Sequence, residues 1–287
     1  MDIKIVLTKH AIKAYNYKHE MKDVRRRGIF MSKKIMSLLV IVVFIAAFGL
    51  TGCSKEGAST AKILKVGTDA GFAPFEFQDE QSKEYVGFDV DLIKALGKQM
   101  GYEVQIQNMN FDGLIPGLEV NTIDVAIAGM TITEARSQKV NFTKPYYQSG
   151  LTIVVKNDNQ TIKNFKDLEG KKLAVQIGTT GATEAKKIKD AQVREFNNAP
   201  EAFMELKAGG VDAVVNDKPV NEYYIAKSGS QDAKAVGEPL QAEEYGIAVA
   251  KKNTELAGKL DKALDELKKN GEYEKIYVKW FGKKPAM

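Results

Sequence analysis

The run Phe111-Asp112-Gly113-Leu114-Ile115-Pro116-Gly117-Leu118 leads through a short turn into Ile123-Asp124-Val125-Ala126-Ile127-Ala128. Further along, Ala202-Phe203-Met204-Glu205-Leu206-Lys207 leads in the same way into Val211-Asp212-Ala213-Val214-Val215-Asn216. Each is a helical stretch, a turn, and then an apolar strand led by aspartate. A chance coincidence of helix and strand gives the same short pattern. Two lobes of similar build also give it, and the rest of the chain decides between these readings.

Strand-like runs alternate with helical ones on both sides of that pair. Ile63–Val66 reads as a strand, and Asp89–Met100 as a helix with Leu92, Ile93, Leu96 and Met100 on one face. Val104–Ile106 is a strand, Phe111–Glu119 is helical, and Asp124–Ala128 is a buried strand. Leu151–Val155, Lys172–Val175, Val193–Phe196 and Val211–Val215 continue the alternation, and a long helix over Thr254–Lys269 stops near Asn270-Gly271. Such alternation predicts an α/β fold with parallel strand pairs.

The chain's single cysteine, Cys53, closes Leu50-Thr51-Gly52-Cys53 behind the apolar run Ile35–Leu50, with Lys33-Lys34 ahead of it. That run is shorter than the roughly 20 residues of a spanning helix, and small residues end it. It reads as an export leader over 1–52, followed by a small polar tether over 53–61. A short transmembrane anchor is the other reading. Met31-Ser32-Lys33-Lys34 already begins a complete signal peptide over 31–52, so translation starting at Met31 is expected. Arg25-Arg26-Arg27-Gly28 would then be a purine tract read in frame; a longer basic leader is the alternative.

Without the leader, 32 basic and 34 acidic residues remain, so the basicity of the full chain implies no nucleic-acid partner. Both histidines, His10 and His19, leave with it. A His-dependent triad and a His- or Cys-ligated zinc site are therefore excluded from the remainder, as are structural disulfides. No cofactor and no metal is expected.

In open α/β sheets ligands lie beyond the carboxyl ends of the strands. There the sequence has Gly67-Thr68-Asp69-Ala70-Gly71-Phe72-Ala73-Pro74-Phe75, then Gly129-Met130-Thr131-Ile132-Thr133-Glu134-Ala135-Arg136, then Asn216-Asp217. An aromatic wall, a hydroxyl beside a helix start, an arginine and an acid are what a free amino acid needs. Its carboxylate is matched by a guanidinium and helix N-terminal N–H groups, and its ammonium by a carboxylate. Taken singly, Asp217 could be a helix cap, Phe72 and Phe111 core residues, and Arg136 a surface residue. Asp89 is read first as a cap and second as a site residue.

From Ile63 to Lys283 the chain resembles the polar amino-acid-binding proteins of bacterial ABC importers, especially the glutamine-binding branch. The resemblance is carried by Tyr85–Leu92, Ala128–Thr133 with Arg136, and Asn141–Tyr147. It continues through Val211–Val214, Tyr245–Ala248, Gly271–Tyr273 and Trp280–Gly282. It implies a two-lobed periplasmic-binding-protein-like fold of type II with the ligand in the inter-lobe cleft. The first lobe would span 62–146 and 245–287, the second 151–241, with hinge strands near 146–150 and 241–245.

By the same resemblance Arg136 clamps the ligand carboxylate with Thr131, Ala128 and the backbone around Gly129. Asp217 and the Gly129 carbonyl hold the ammonium, Phe72 and Phe111 sandwich the stem, and Asp69 meets the side-chain tip. Gln176 and Thr180 line the facing wall. Leu-Thr-Gly-Cys resembles a lipobox, implying lipidation of Cys53 and a membrane-anchored, extracytoplasmic monomer that serves an ABC permease and its ATPase.

Glutamine-specific members tend to carry Lys at Gln176 and His at Asn216. Loss of that positive charge with Asp69 retained favours a cationic tip, so arginine, lysine or histidine compete with glutamine. A cleft-based dehydratase on the same fold and an amino-acid sensor domain are the rival functions.

Overall fold

The computed structural model describes residues 62–229, 231–240 and 242–285. The leader, Cys53 and the tether fall outside the described residues. Among the described residues no helix is long and apolar enough to cross a membrane.

The strands are, in chain order, β1 (Lys62–Thr68), β2 (Gly71–Phe72), β3 (Glu76–Gln78), β4 (Tyr85–Val86), β5 (Tyr102–Asn108), β6 (Val125–Ala126) and β7 (Val140–Phe142). After them come β8 (Tyr147–Lys156), β9 (Lys172–Gln176), β10 (Gln192–Phe196), β11 (Ala213–Asp217), β12 (Ala233–Val236), β13 (Ala242–Tyr245) and β14 (Ala248–Ala250). One sheet has the order β5-β1-β6-β14-β7, and a second has β10-β9-β11-β8-β12. In each, three parallel strands meet an antiparallel one: β5, β1 and β6 against β14, and β10, β9 and β11 against β8.

The repeated motif read from the sequence therefore occupies matching places. β6 and β11 are each the third strand of a parallel trio, each arriving from a short helix, Leu114–Glu119 and Ala199–Ala208. The leading aspartates do the same job twice. Asp124 Oδ2 accepts from the Lys65 N–H (2.9 Å) while its own N–H donates to the Lys65 carbonyl. Asp212 Oδ2 accepts from the Lys172 N–H (2.8 Å) while its N–H donates to the Lys172 carbonyl. Each aspartate thus satisfies a backbone donor of the neighbouring parallel strand and fixes the register of the third strand.

β8 and β13 connect the sheets. The first half of β8 pairs antiparallel with β13, from Tyr147↔Tyr245 to Gly150↔Ala242. From Leu151 onward β8 pairs with β11 inside the second sheet. The chain therefore runs between the two sheets along β8 and again along β13.

Helix Phe88–Met100 buries Leu92, Ile93 and Leu96 as the spacing predicts, and ends on Gly101 in the left-handed conformation. Helix Thr254–Lys269 has the expected bounds, starting from an Asn253 cap that accepts from the Leu256 N–H. Phe111–Glu119 is a 3-10 turn, Phe111–Gly113, followed by an α-helix rather than one continuous helix. The strand expected over Asp124–Ala128 is shorter, Val125–Ala126, although the Ile127 N–H still donates to the Gly67 carbonyl (3.1 Å).

Candidate functional site

The carboxyl ends of β1, β6, β9 and β11 converge on a small, nearly filled cavity. Its lining contains all ten residues singled out from the sequence: Asp69, Phe72, Phe111, Ala128, Gly129, Thr131, Arg136, Gln176, Thr180 and Asp217. Two lining residues were missed, Glu76 and Thr179. Thr179 caps helix Thr180–Ala185, accepting from the Ala182 N–H and donating to the Gln176 carbonyl, so it holds the facing wall in shape.

Glu76 reaches the cavity through the small sheet β2-β3-β4. It lies directly across from Phe72 in the β2–β3 pairing, which brings the acid and the aromatic ring to one spot. It is 0 % exposed, and neither carboxyl oxygen has a hydrogen-bond donor in the described chain. Burial, and after it the neighbouring Asp89, push its pKa well above the ordinary range. The signal in the sequence was slight, an acid immediately after the Phe72–Phe75 segment.

Asp89 is not a helix cap. The cap position is Gly87, which makes no side-chain cap bond, and Asp89 points instead into the protein. Its Oδ2 accepts from the Gly129 N–H (2.9 Å) and the Tyr146 hydroxyl (2.6 Å). Burial raises its pKa to about 6 against the lowering pull of these two donors. The bond also changes what Gly129 can offer: its N–H is spent on Asp89, leaving its carbonyl for a ligand. Gly129 sits at φ +53°, and a Cβ there would come within 2.7 Å of the Phe72 ring, so only glycine lets backbone and ring meet.

Asp69 Oδ2 accepts from the Phe111 N–H (3.1 Å) and from Gln176 Nε2 (2.6 Å), the latter joining the first sheet's side of the cleft to the second's. Burial raises its pKa to about 6, with the two donors opposing. Arg136 makes the other bridge. Its guanidinium donates to the Thr131 carbonyl (2.7 Å) and to the Gly178 carbonyl across the cleft (3.0 Å), and stands 5.1 Å from the Phe111 ring centre. Thr133, which precedes the helix Glu134–Lys139, accepts from the Arg136 N–H and fixes where that side chain starts.

Asp217 precedes helix Lys218–Tyr224 but makes no side-chain cap bond to it, so its carboxyl is free for the cavity. Its Oδ1 accepts from the Tyr245 hydroxyl (2.5 Å) and the Ser149 hydroxyl (3.4 Å), both on the hinge strands. Burial and then Glu243 raise its pKa well above normal. The cavity therefore sets one guanidinium, whose own pKa burial lowers, among three acids: Asp69, Glu76 and Asp217.

Two α/β lobes joined by paired hinge strands, with a polar cavity between the sheets, define a clamshell solute-binding protein. Comparison with known proteins gives the family. The profile of the bacterial extracellular solute-binding proteins, family 3, matches residues 64–283, and the chain belongs to that family. Among its relatives is the arginine-binding extracellular protein ArtP of Bacillus subtilis (strain 168), 37 % identical over 251 residues that cover 85 % of this chain and 97 % of that protein. An ancestral arginine-binding protein solved bound to arginine is 50 % identical, with a TM-score of 0.74 over 76 % of this chain and 98 % of its own. An ancestral arginine-binding protein bound to glutamine gives 50 % identity and a TM-score of 0.73 over 77 % of this chain and 98 % of its own. The fold expected from the sequence is thus found. These relatives bear the name of arginine, whereas the motifs had suggested the glutamine-binding branch.

Proposed function

We propose that the protein is the extracytoplasmic binding component of an amino-acid ABC importer, and that its ligand is a cationic L-amino acid, arginine foremost. One observation carries this reading: the cavity holds three buried acids around a single arginine. With Glu76 held neutral by burial, Asp69 and Asp217 against Arg136 leave one negative charge, which a ligand with one carboxylate and two cationic groups neutralises. Arg136 takes the ligand carboxylate with the Thr131 hydroxyl. Asp217 and the Gly129 carbonyl take the α-ammonium, Phe72 and Phe111 flank the stem, and Asp69 with Glu76 meets the distal cation. An acidic side chain would face two carboxyls with no partner, at a cost of several kcal/mol.

Glutamine is the second reading. A neutral amide can donate to Asp69 and accept from Gln176, and a solved relative is described as bound to glutamine. Lysine and histidine carry the charge without the forked donors of a guanidinium. The protein then works by closure: ligand contacts made only with both lobes in place shift the population toward the closed form, which a permease and its ATPase accept. A lipid on Cys53 would hold the protein, as a monomer, at the outer face of the cell membrane.

A thermal-shift series over the twenty amino acids tests the ligand class, because a ligand that binds only the folded state raises the melting temperature by mass action. Arginine should give the largest shift, glutamine a smaller one and glutamate none. Asp69→Asn should narrow the arginine-to-glutamine preference by about tenfold, the effect of weakening one charge-assisted hydrogen bond. A largest shift with glutamate would overturn the assignment.

A further inference from the structure

We infer that Tyr245 is the positioning residue for the ammonium end of the site. Its backbone is tied to the Thr131 segment after β6 and its hydroxyl to Asp217 at the end of β11, so it sets these two groups against each other across the cleft. The inference rests on reading the cleft as an amino-acid site.

Tyr245 ends β13, and its main chain is clamped on the first sheet's side. Its backbone bridges Thr131 in antiparallel fashion. On either side of it the Ile132 N–H donates to the Glu244 carbonyl (2.8 Å) and the Gly246 N–H to the Met130 carbonyl (3.0 Å). Its own carbonyl accepts from the Tyr146 N–H (2.9 Å). The ring passes directly beside Gly129, where a Cβ would stand 3.4 Å from it. Gly129 is the residue whose carbonyl faces the ammonium in the proposed function.

The ring is held as firmly as the backbone. Tyr245 is 0 % exposed, stacked on Tyr147 with ring centres 5.6 Å apart and edge-on to Phe75 at 5.3 Å. From that fixed position the hydroxyl donates to Asp217 Oδ1 (2.5 Å), on the second sheet's side. Burial, and after it Asp217, push the pKa of this hydroxyl well above the ordinary range, so it stays a donor.

Asp217 depends on this bond for its orientation. It makes no cap bond to helix Lys218–Tyr224, and the Ser149 hydroxyl that also donates to Oδ1 stands at the longer distance of 3.4 Å. With Oδ1 anchored, Oδ2 is left for the ammonium. A carboxylate already aimed before the ligand arrives binds without the cost of ordering it.

The test is a double-mutant cycle, read by isothermal titration of L-arginine into the wild type, Tyr245→Phe, Asp217→Ala and the double variant. Phenylalanine keeps the ring and its stacking and removes only the hydroxyl. Tyr245→Phe should weaken arginine by about tenfold, the effect of one hydrogen bond to a charged group. In the Asp217→Ala background the same change should cost about twofold or less, because no carboxylate remains to be held. A second readout needs only the single variant. L-Glutamine shares the ammonium and differs at the tip, so Tyr245→Phe should leave the arginine-to-glutamine preference of the wild type unchanged within about twofold.

Equal losses in the two backgrounds would mean a merely structural role and overturn the inference. So would a loss under about threefold for Tyr245→Phe, or a changed preference. A Tyr245→Phe chain without the wild-type circular dichroism spectrum assigns the hydroxyl to folding and overturns it too. Absence of binding of any amino acid by the wild type would bring down the reading of the cleft itself. Wild-type binding with a failed cycle sinks this inference alone.

Discussion

Asp89 accepts two hydrogen bonds on one oxygen, Oδ2, while Oδ1 is buried without a donor. Asparagine can present its single carbonyl oxygen to the same two donors and turn its amide toward Glu76. Asp89→Asn should therefore fold, and at pH 7 be as stable as the wild type or more so, since it removes a buried charge and keeps both bonds. Asp89→Ala should cost about 2–4 kcal/mol, because two buried donors lose their acceptor. The sign with pH follows from pKa values raised to about 6 at Asp89 and Asp69. A raised folded-state value contributes stability that is full below about pH 3.8 and lost as pH rises through about 6. Ligand-free protein should thus lose melting temperature between pH 4 and 7, and Asp89→Asn should flatten that slope; an unchanged slope by calorimetry would contradict it. This residue also marks a limit of sequence reading. An acid opening a helix looks like a cap, and only the fold brings Gly129 and Tyr146 to it. Glu76 escaped for a related reason: its strand is three residues long, too short for its alternation to stand out.

At the scale of elements, the repeated helix–turn–aspartate–strand unit was legible because its aspartate has a backbone job that recurs. Asp124 and Asp212 each satisfy an N–H of the neighbouring parallel strand, so the pattern survives in the letters. Asp212→Ala should destabilise the protein by about 0.5–1.5 kcal/mol through loss of that exposed hydrogen bond. Asp212→Asn, which keeps an acceptor, should recover most of it in urea denaturation. Equal losses for the two variants would show that the charge matters rather than the bond. Helix spans were read well where a long amphipathic period met a glycine or asparagine stop, as in Phe88–Met100 and Thr254–Lys269. Strand lengths were read less well. β6 is two residues long although Ile127 and Ala128 continue the apolar run, and no periodicity marks where the strand ends.

At the scale of the whole molecule, hydrogen bonds run across the cleft from Gln176 to Asp69 and from Arg136 to the Gly178 carbonyl. Each uses a group that the proposed ligand would also engage, so ligand binding exchanges protein bonds for ligand bonds while adding charge neutralisation. The ten lining residues were legible from the sequence because the ends of parallel strands are where such folds place ligands, and the motifs there are contiguous in the chain. The proposed ligand preference was harder to read, since it turns on acids that the fold brings together from the segments at β1, β3 and β11. The central claim is that Arg136 and Asp217 neutralise opposite ends of one zwitterion. Calorimetric titration of arginine into Arg136→Ala and Asp217→Ala tests it most directly. Each variant should lose at least about 3 kcal/mol, roughly a hundredfold in Kd, because each leaves a ligand charge without its partner. A loss below tenfold in both would contradict the account.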